Sequence, residues 1–293
     1  MTQTAKLRAL LRAPGMVIAP GAHDGLTAML VAQAGFGAVY MTGAGTSVVH
    51  GYPDFGLLTA TEMTANAARM ARAVDVPLIA DADTGYGNEL NVVRTVQEYE
   101  RAGVAGLHIE DQVSPKRCGH LDDKEILPRE DWLAKIRAAA SSRRDPDFLI
   151  IARTDSRAVA GFEEAIARAN AALDAGADMA FVEAPATMEE IAAVPKRVKG
   201  PCLLNVVWGG KTPDMDLRDA AALGFKLAIV PALLLKATIG ACEAALATLK
   251  ETHRHATPPG GMTVGDVFNR VGAREWAEFR TKFREPGTRR AAE

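Results

Sequence analysis

Pro77-Leu78-Ile79-Ala80-Asp81-Ala82-Asp83 is a short apolar run that stops in two carboxylates. It lacks the strict polar–apolar alternation of a half-solvated sheet, so it reads as a strand buried on both faces. Seven further runs share this character, at residues 16–22, 38–43, 106–111, 148–155, 179–185, 201–207 and 226–231. Between them lie segments of helical character, at 25–34, 61–73, 89–102, 129–140, 162–175 and 188–198. Asp24, and Thr187 with Glu190 three residues on, supply helix starts, while Gly35, Gly103 and Gly176 supply stops. Eight strand–helix units in succession predict an α/β fold, a (β/α)₈ barrel of the TIM type. A doubly wound open sheet is the competing arrangement. The count of eight and the absence of a compositional break between two halves favour the barrel.

Beyond the eighth strand, residues 232–250 read as a long helix, 253–261 as a break rich in His, Pro and Gly, and 264–283 as a last amphipathic stretch. The tail 284–293 is expected to fray. This divides the chain into a catalytic barrel, 1–250, and a C-terminal helical extension, 251–293. Helix in excess of what a barrel needs commonly packs on a neighbouring subunit, so an oligomer is expected.

With 293 residues, 48% of them hydrophobic, the chain has ample material for a core. A formal charge of −2 offers no basic field for nucleic acid. No apolar stretch approaches the roughly 20 residues of a membrane span, and residues 1–13 lack a signal-peptide core. Cys118, Cys202 and Cys242 are odd in number and have no metal-site spacing, which fits a reducing cytoplasm. Cys202 and Cys242 read as inert core thiols.

Barrel enzymes carry their chemistry at the C-terminal ends of the strands. Here those ends hold His23 and Asp24, Thr42 and Gly43, Asp81 and Asp83, Glu110 and Asp111, Arg153 and Asp155, Glu183, and Asn205. A single strand-terminal Asp is commonly a turn former, and Asp111 and Asp155 are read that way. The convergence of so many polar ends on one rim reads as a site. Asp81 and Asp83 point the same way, and Glu110 adds a third carboxylate. Such a cluster calls for a compensating cation, and Mg²⁺, which keeps several waters, suits it. Asp54 stands as an outer partner. In Lys116-Arg117-Cys118-Gly119-His120 a thiol is flanked by two cations and an imidazole, which predicts a depressed thiol pKa. Thr42-Gly43-Ala44-Gly45 lacks dinucleotide spacing, and its amides are better suited to a carboxylate.

Taken together, the chain resembles the isocitrate lyase/phosphoenolpyruvate mutase superfamily. The likeness rests on Met41–Gly45, 52–56, 81–88, 110–113 with 116–120, 151–155, 181–184 and 209–213, and spans about residues 6 to 250. Within it the chain is most similar to the 2-methylisocitrate lyase, 2,3-dimethylmalate lyase and oxaloacetate hydrolase group, and also similar to carboxyphosphonoenolpyruvate phosphonomutase. The resemblance implies a barrel with a swapped C-terminal helix, a homotetramer, and bound Mg²⁺ with Mn²⁺ as a substitute. It implies that Asp81 and Asp83 hold the metal with Glu110 and Asp54 behind, and that Thr42, Gly43 and Ala44 bind the carboxylate of a 2-oxo acid. Arg153 then contacts substrate, Glu183 and Asn205 attend the far carboxylate, Cys118 is the acid/base, and Arg117 and His120 position and charge its loop.

The implied reaction is cleavage of a 2-hydroxy di- or tricarboxylate to a 2-oxo acid, such as pyruvate, and a carboxylate. Hydrolysis or decarboxylation of oxaloacetate, phosphonomutase chemistry and a non-catalytic metabolite-binding barrel are the alternatives. Where relatives often carry Glu before the paired glycines of the seventh loop, this chain has Trp208. An indole there is expected to shrink the substrate pocket and favour a smaller or more apolar substrate.

Overall fold

The structure, a computed structural model, describes residues 1–284. The eight strands are β1 (Val17–Ala22), β2 (Val39–Met41), β3 (Leu78–Asp81), β4 (Gly106–Glu110), β5 (Leu149–Thr154), β6 (Met179–Val182), β7 (Cys202–Asn205) and β8 (Leu227–Val230). They pair in sequence order, all parallel, and close into a barrel through β1 and β8. The helices are α1 (Gln3–Arg12), α2 (Gly25–Gln33), α3 (Gly43–Val49), α4 (Ala60–Ala73), α5 (Glu89–Arg101), α6 (Arg129–Ser142), α7 (Ser156–Ala160), α8 (Phe162–Asp174), α9 (Met188–Arg197), α10 (Leu217–Leu223), α11 (Leu233–Thr252), α12 (Val264–Arg270) and α13 (Ala273–Arg284).

Local chemistry sets these boundaries. Asp24 caps α2 in a reciprocal box with Thr27, and Thr187 accepts from the Glu190 amide to start α9. Thr59 with Glu62, and Asn88 with Asn91, close the same kind of box on α4 and α5. Short helices α1, α3, α7 and α10 carry too little periodicity to stand out in the sequence. The stretch 264–283, read as one segment, is α12 and α13 parted at Gly272, whose φ is +83°.

Two layers of apolar packing surround the strands. Inside the barrel, Ala19, Tyr40, Ile79, Leu149, Ile151, Met179, Phe181, Leu203, Leu227 and Ile229 form one buried cluster. Outside, alternate residues such as Val39, Leu78, Leu107 and Ile150 meet the helices α2, α4, α5 and α6. Helix α1 closes the N-terminal end. Its Leu7 is fully buried in the interior cluster. Thr4 bonds Asp145 at 2.6 Å, Lys6 the Asp75 carbonyl at 2.7 Å and Arg8 the Asp147 carbonyl at 3.0 Å, all at the starts of strands.

Met1–Thr238 form one compact unit, and Ile239 begins a second, inside α11. Neither α12 nor α13 buries a residue, and Trp276, Phe279 and Phe283 are exposed. The tail expected to fray lies, from residue 285, outside the described residues. No helix among the described residues is long and apolar enough to cross a membrane.

Candidate active site

Strand parity places the rim. The side chain two residues beyond an interior residue points the same way. Above Ile79 stands Asp81, above His108 Glu110, above Ile151 Arg153, above Phe181 Glu183, and above Leu203 Asn205. All five are buried. Asp111 has the opposite parity. It faces outward to Arg168 of α8 at 3.1 Å and fixes Thr154 Oγ1 and the Asp155 amide at 2.6 and 2.7 Å. It thus ties α8 to the end of β5 rather than forming a turn, and burial together with Asp155 raises its carboxyl to about 6.

Asp81 is held by amides. Asp83 N–H donates to its Oδ1 at 2.9 Å and Gly43 N–H to its Oδ2 at 3.1 Å. A Cβ at position 43 would stand 2.3 Å from that oxygen, so only glycine allows this approach. Tyr40 Oη lies 3.4 Å from Asp81 Oδ2 and 2.8 Å from His108 Nε2. Burial acts to raise the Asp81 carboxyl, but His108, Lys116 and Arg153 outweigh it and hold it at about 2. Burial lowers His108 to about 4, so at neutral pH the charges that keep Asp81 ionised are Lys116 and Arg153.

Asp83 adopts a left-handed backbone, φ +46°, which is costly for a non-glycine residue. Its Oδ1 lies 2.9 Å from Lys116 Nζ, which also donates to Asp54 Oδ1. Burial, then the neighbouring Asp81 and Asp54, raise its carboxyl to about 6 in spite of Lys116. Glu110 is fully buried, and neither of its oxygens accepts a hydrogen bond. Arg153 Nη1 is 3.1 Å from its Oε2. Burial raises Glu110 well above the usual carboxylate range. Among the described residues no three His, Cys, Asp or Glu side chains close around a point as a self-sufficient metal cage. Buried hard oxygens with unmet acceptor capacity suit a cation that keeps most of its water.

Arg153 is the hub. Its Nε and Nη2 grip Asp155 at 2.9 and 3.1 Å, and Nη2 lies 3.6 Å from Glu183 Oε1. Asn205 Nδ2 donates to Glu183 at 3.1 Å. The loop after β4 lies over this group. At Gly119 a Cβ would stand 2.1 Å from Glu183 Oε1 and 2.5 Å from Arg153 Nη2. The Lys211 amide donates to His120 Nδ1 at 3.1 Å, leaving Nε2 to carry the hydrogen and face Glu183 Oε1 at 3.5 Å.

The expected depression of the Cys118 pKa is overturned. Burial, reinforced by Asp54 and Glu183, pushes the thiol up to about 11. Neighbours in sequence are not neighbours in charge here. Lys116 is committed to Asp54 and Asp83, and Arg117 is exposed, its guanidinium 5.7 Å from the Phe55 ring centroid.

A pocket of about 100 Å³ opens among these groups. Thr42, Ala44, Asp54, Asp81, Cys118, His120, Arg153, Glu183 and Asn205 line it. Gly43, Asp83, Glu110 and Arg117 do not. Nor does Trp208, which is 74% exposed. Its ring lies 5.3 Å from Lys236 Nζ, so the indole sits on the rim and does not shrink the pocket. Cys202 is buried as expected, whereas Cys242 is exposed. Tyr40, His108 and Phe181 were missed, although inward parity one step below the rim marks each. Lys124, buried against Asp155, carries no comparable signal.

Residues 7–250 match the phosphoenolpyruvate phosphomutase family. The chain is 50% identical to 2,3-dimethylmalate lyase of Eubacterium barkeri, over 79% of this chain and 80% of that one. It is 43% identical to 2-methylisocitrate lyase of Aeropyrum pernix, over 84% and 79%. Among solved structures, an oxaloacetate acetylhydrolase with the inhibitor 3,3-difluorooxalacetate superposes with a TM-score of 0.93 at 38% identity, covering 96% of this chain and 97% of that one. A phosphonopyruvate hydrolase complex with oxalate and Mg²⁺ superposes at 0.87 with 30% identity, covering 97% and 99%. The chain belongs to the phosphoenolpyruvate mutase/isocitrate lyase superfamily. Within it, this is an enzyme of the carbon–carbon lyase kind.

Proposed function

We propose that the enzyme cleaves the C2–C3 bond of a small alkyl-substituted 2-hydroxy dicarboxylate, an alkylmalate, releasing a 2-oxo acid such as pyruvate and a second carboxylate. The observation that carries this reading is the convergence of Cys118, Arg153 and Asp81 on one small pocket that also has an apolar wall. Val207, Ile229, Pro231, Ala232 and Leu235 form that wall. It suits methyl groups better than a third carboxylate.

Asp81 and Asp83, backed by Glu110 and Asp54, are the residues for Mg²⁺, with Mn²⁺ as a substitute. Held there, the cation would supply Lewis acidity that eases loss of the hydroxyl proton. Thr42 and Ala44 take the carboxylate beside the hydroxyl. As C2–C3 breaks, the hydroxyl proton passes to the ionised Asp81 carboxylate, and the bond pair passes towards C3 and its carboxylate, where Arg153 meets the charge. Cys118 then gives its proton to C3, and the proton taken up from the hydroxyl is returned to the thiolate before the next turnover. A thiol raised to about 11 is protonated at neutral pH, which is the form this direction requires. His120 Nε2–H and Asn205 orient Glu183 at the distal end, and the Gly119 segment excludes water.

The protein is further read as a cytoplasmic homotetramer whose C-terminal helices pack on a neighbouring copy. Support comes from the unburied aromatic residues of α13.

A panel of 2,3-dimethylmalate, 2-methylisocitrate and oxaloacetate with Mg²⁺, read by 2-oxo acid and oxalate formation, tests the proposal. Pyruvate from the alkylmalate in preference to the tricarboxylate is the expected result. Oxalate and acetate from oxaloacetate, with no 2-oxo acid from the other two compounds, would move the enzyme to the hydrolases. A folded Cys118→Ser enzyme as active as wild type would remove the thiol from the mechanism.

A further inference from the structure

Lys124 lies in the loop between β4 and α6 and takes no part in the chemistry above. Its ammonium is buried, with 1% side-chain exposure, as is its partner Asp155 at 0%. Nζ donates to Asp155 Oδ1 at 3.0 Å and to the carbonyl oxygen of Gly119. Asp155 in turn grips Arg153 through two further bonds. One buried cation therefore ties the backbone beside Cys118 to the carboxylate that aims Arg153. The loop is also held by Lys116 on Asp54 and Asp83 and by the Lys211 amide on His120, while its ion pair from Lys211 Nζ to Asp122 at 2.6 Å is solvent-exposed and correspondingly weak.

We propose that Lys124 is a positioning residue: it latches the Cys118 loop over the pocket and makes loop closure and the presentation of Arg153 a single event. Without its ammonium the Gly119 carbonyl loses its donor and Asp155 keeps only Arg153. An unpaired buried carbonyl is costly, so the loop relaxes towards water. The catalytic part of this inference rests on the proposed role of Cys118. The latch itself does not.

The test measures iodoacetamide labelling of Cys118 by peptide mass spectrometry, alongside turnover, in wild type, Lys124→Met and Lys124→Gln. The Met variant is expected to label at Cys118 about tenfold faster and to lose kcat by about the same factor, with a smaller change in KM. The Gln variant keeps a donor without the charge and should fall between. It also preserves the test should the Met variant not fold. Pyruvate with Mg²⁺ should protect Cys118 in wild type but not in the Met variant. Unchanged labelling of Cys118 in both folded variants overturns the latch, whatever happens to turnover. Faster labelling in the Met variant, with wild type inactive on every substrate, would instead sustain the latch and overturn the proposed reaction.

Discussion

Replacing Gly119 by alanine tests the architecture at its tightest point. The new methyl would stand 2.1 Å from Glu183 Oε1 and 2.6 Å from Glu183 Cγ. Glu183 is held by Asn205, and Arg153 by Asp155 and Glu110, and all of them are buried. Neither neighbour can swing aside without losing a buried partner, so the loop must yield. A carbon and a carboxylate oxygen rest about 3.3 Å apart, which requires Cys118 to rise by about 1 Å. A displacement of that size in a reacting group costs on the order of a hundredfold in rate, or about 2.7 kcal/mol of transition-state stabilisation. The barrel core does not include this loop, so the melting temperature should shift by no more than about 2 °C. The assay is steady-state 2-oxo acid formation from the alkylmalate, with thermal melts on the same preparations. An alanine enzyme keeping about a third or more of wild-type kcat/KM would refute the argument that the loop must sit this close.

Cys118→Ser should lower cleavage by about 10²–10⁴-fold, as loss of a general acid does. In wild type, the thiol's contribution to kcat should stay level through neutral pH and fall only as pH approaches about 11, because the acid form acts. A loss of cleavage centred near neutrality that Cys118→Ser abolishes would contradict this. Trp208→Ala should change kcat/KM by no more than about twofold, since the indole lies outside the pocket. A larger change in KM would return Trp208 to the substrate. Chelation should abolish activity, and Mg²⁺ or Mn²⁺ should restore it. Asp83 offers a stability readout of the same cation. Its carboxyl, raised to about 6, favours the folded state while protonated and loses that contribution as pH rises from about 4 to about 6. Metal-free Asp83→Asn should therefore gain stability relative to wild type between about pH 4.5 and about pH 7.5, and Mg²⁺ should narrow the gap by stabilising wild type. Thermal melts that show no pH-dependent gap would oppose the assignment.

The barrel was legible because each buried strand is a compact apolar run and several of the helices carry their own caps, as α2, α4, α5 and α9 do. The rim was legible because strand ends have little reason to hold charge unless a site uses it. What escaped was set by tertiary geometry. Lys116 and Arg117 adjoin Cys118 in the chain, yet one turns in to two carboxylates and the other turns out over Phe55, so burial and the carboxylates Asp54 and Glu183 outweigh the lowering by Lys116. Gly43 was expected at the oxo-acid carboxylate, but its amide is committed to Asp81. Trp208 shows the same limit. Residue type suggested a filled pocket, whereas backbone direction puts the ring in solvent. Tyr40 and His108 were recoverable from parity alone, and Lys124 became visible only when the loop folded back on β5.

Helix α1, with Leu7 seated in the barrel interior, seals the end remote from the chemistry. The pocket is thus a cul-de-sac rather than a corridor. Cleavage makes two molecules from one, and both must leave by the mouth through which one arrived, beneath the Cys118 loop. A plug at the floor of the barrel thereby makes the mouth serve for both arrival and departure, a constraint that begins with the first dozen residues of the chain.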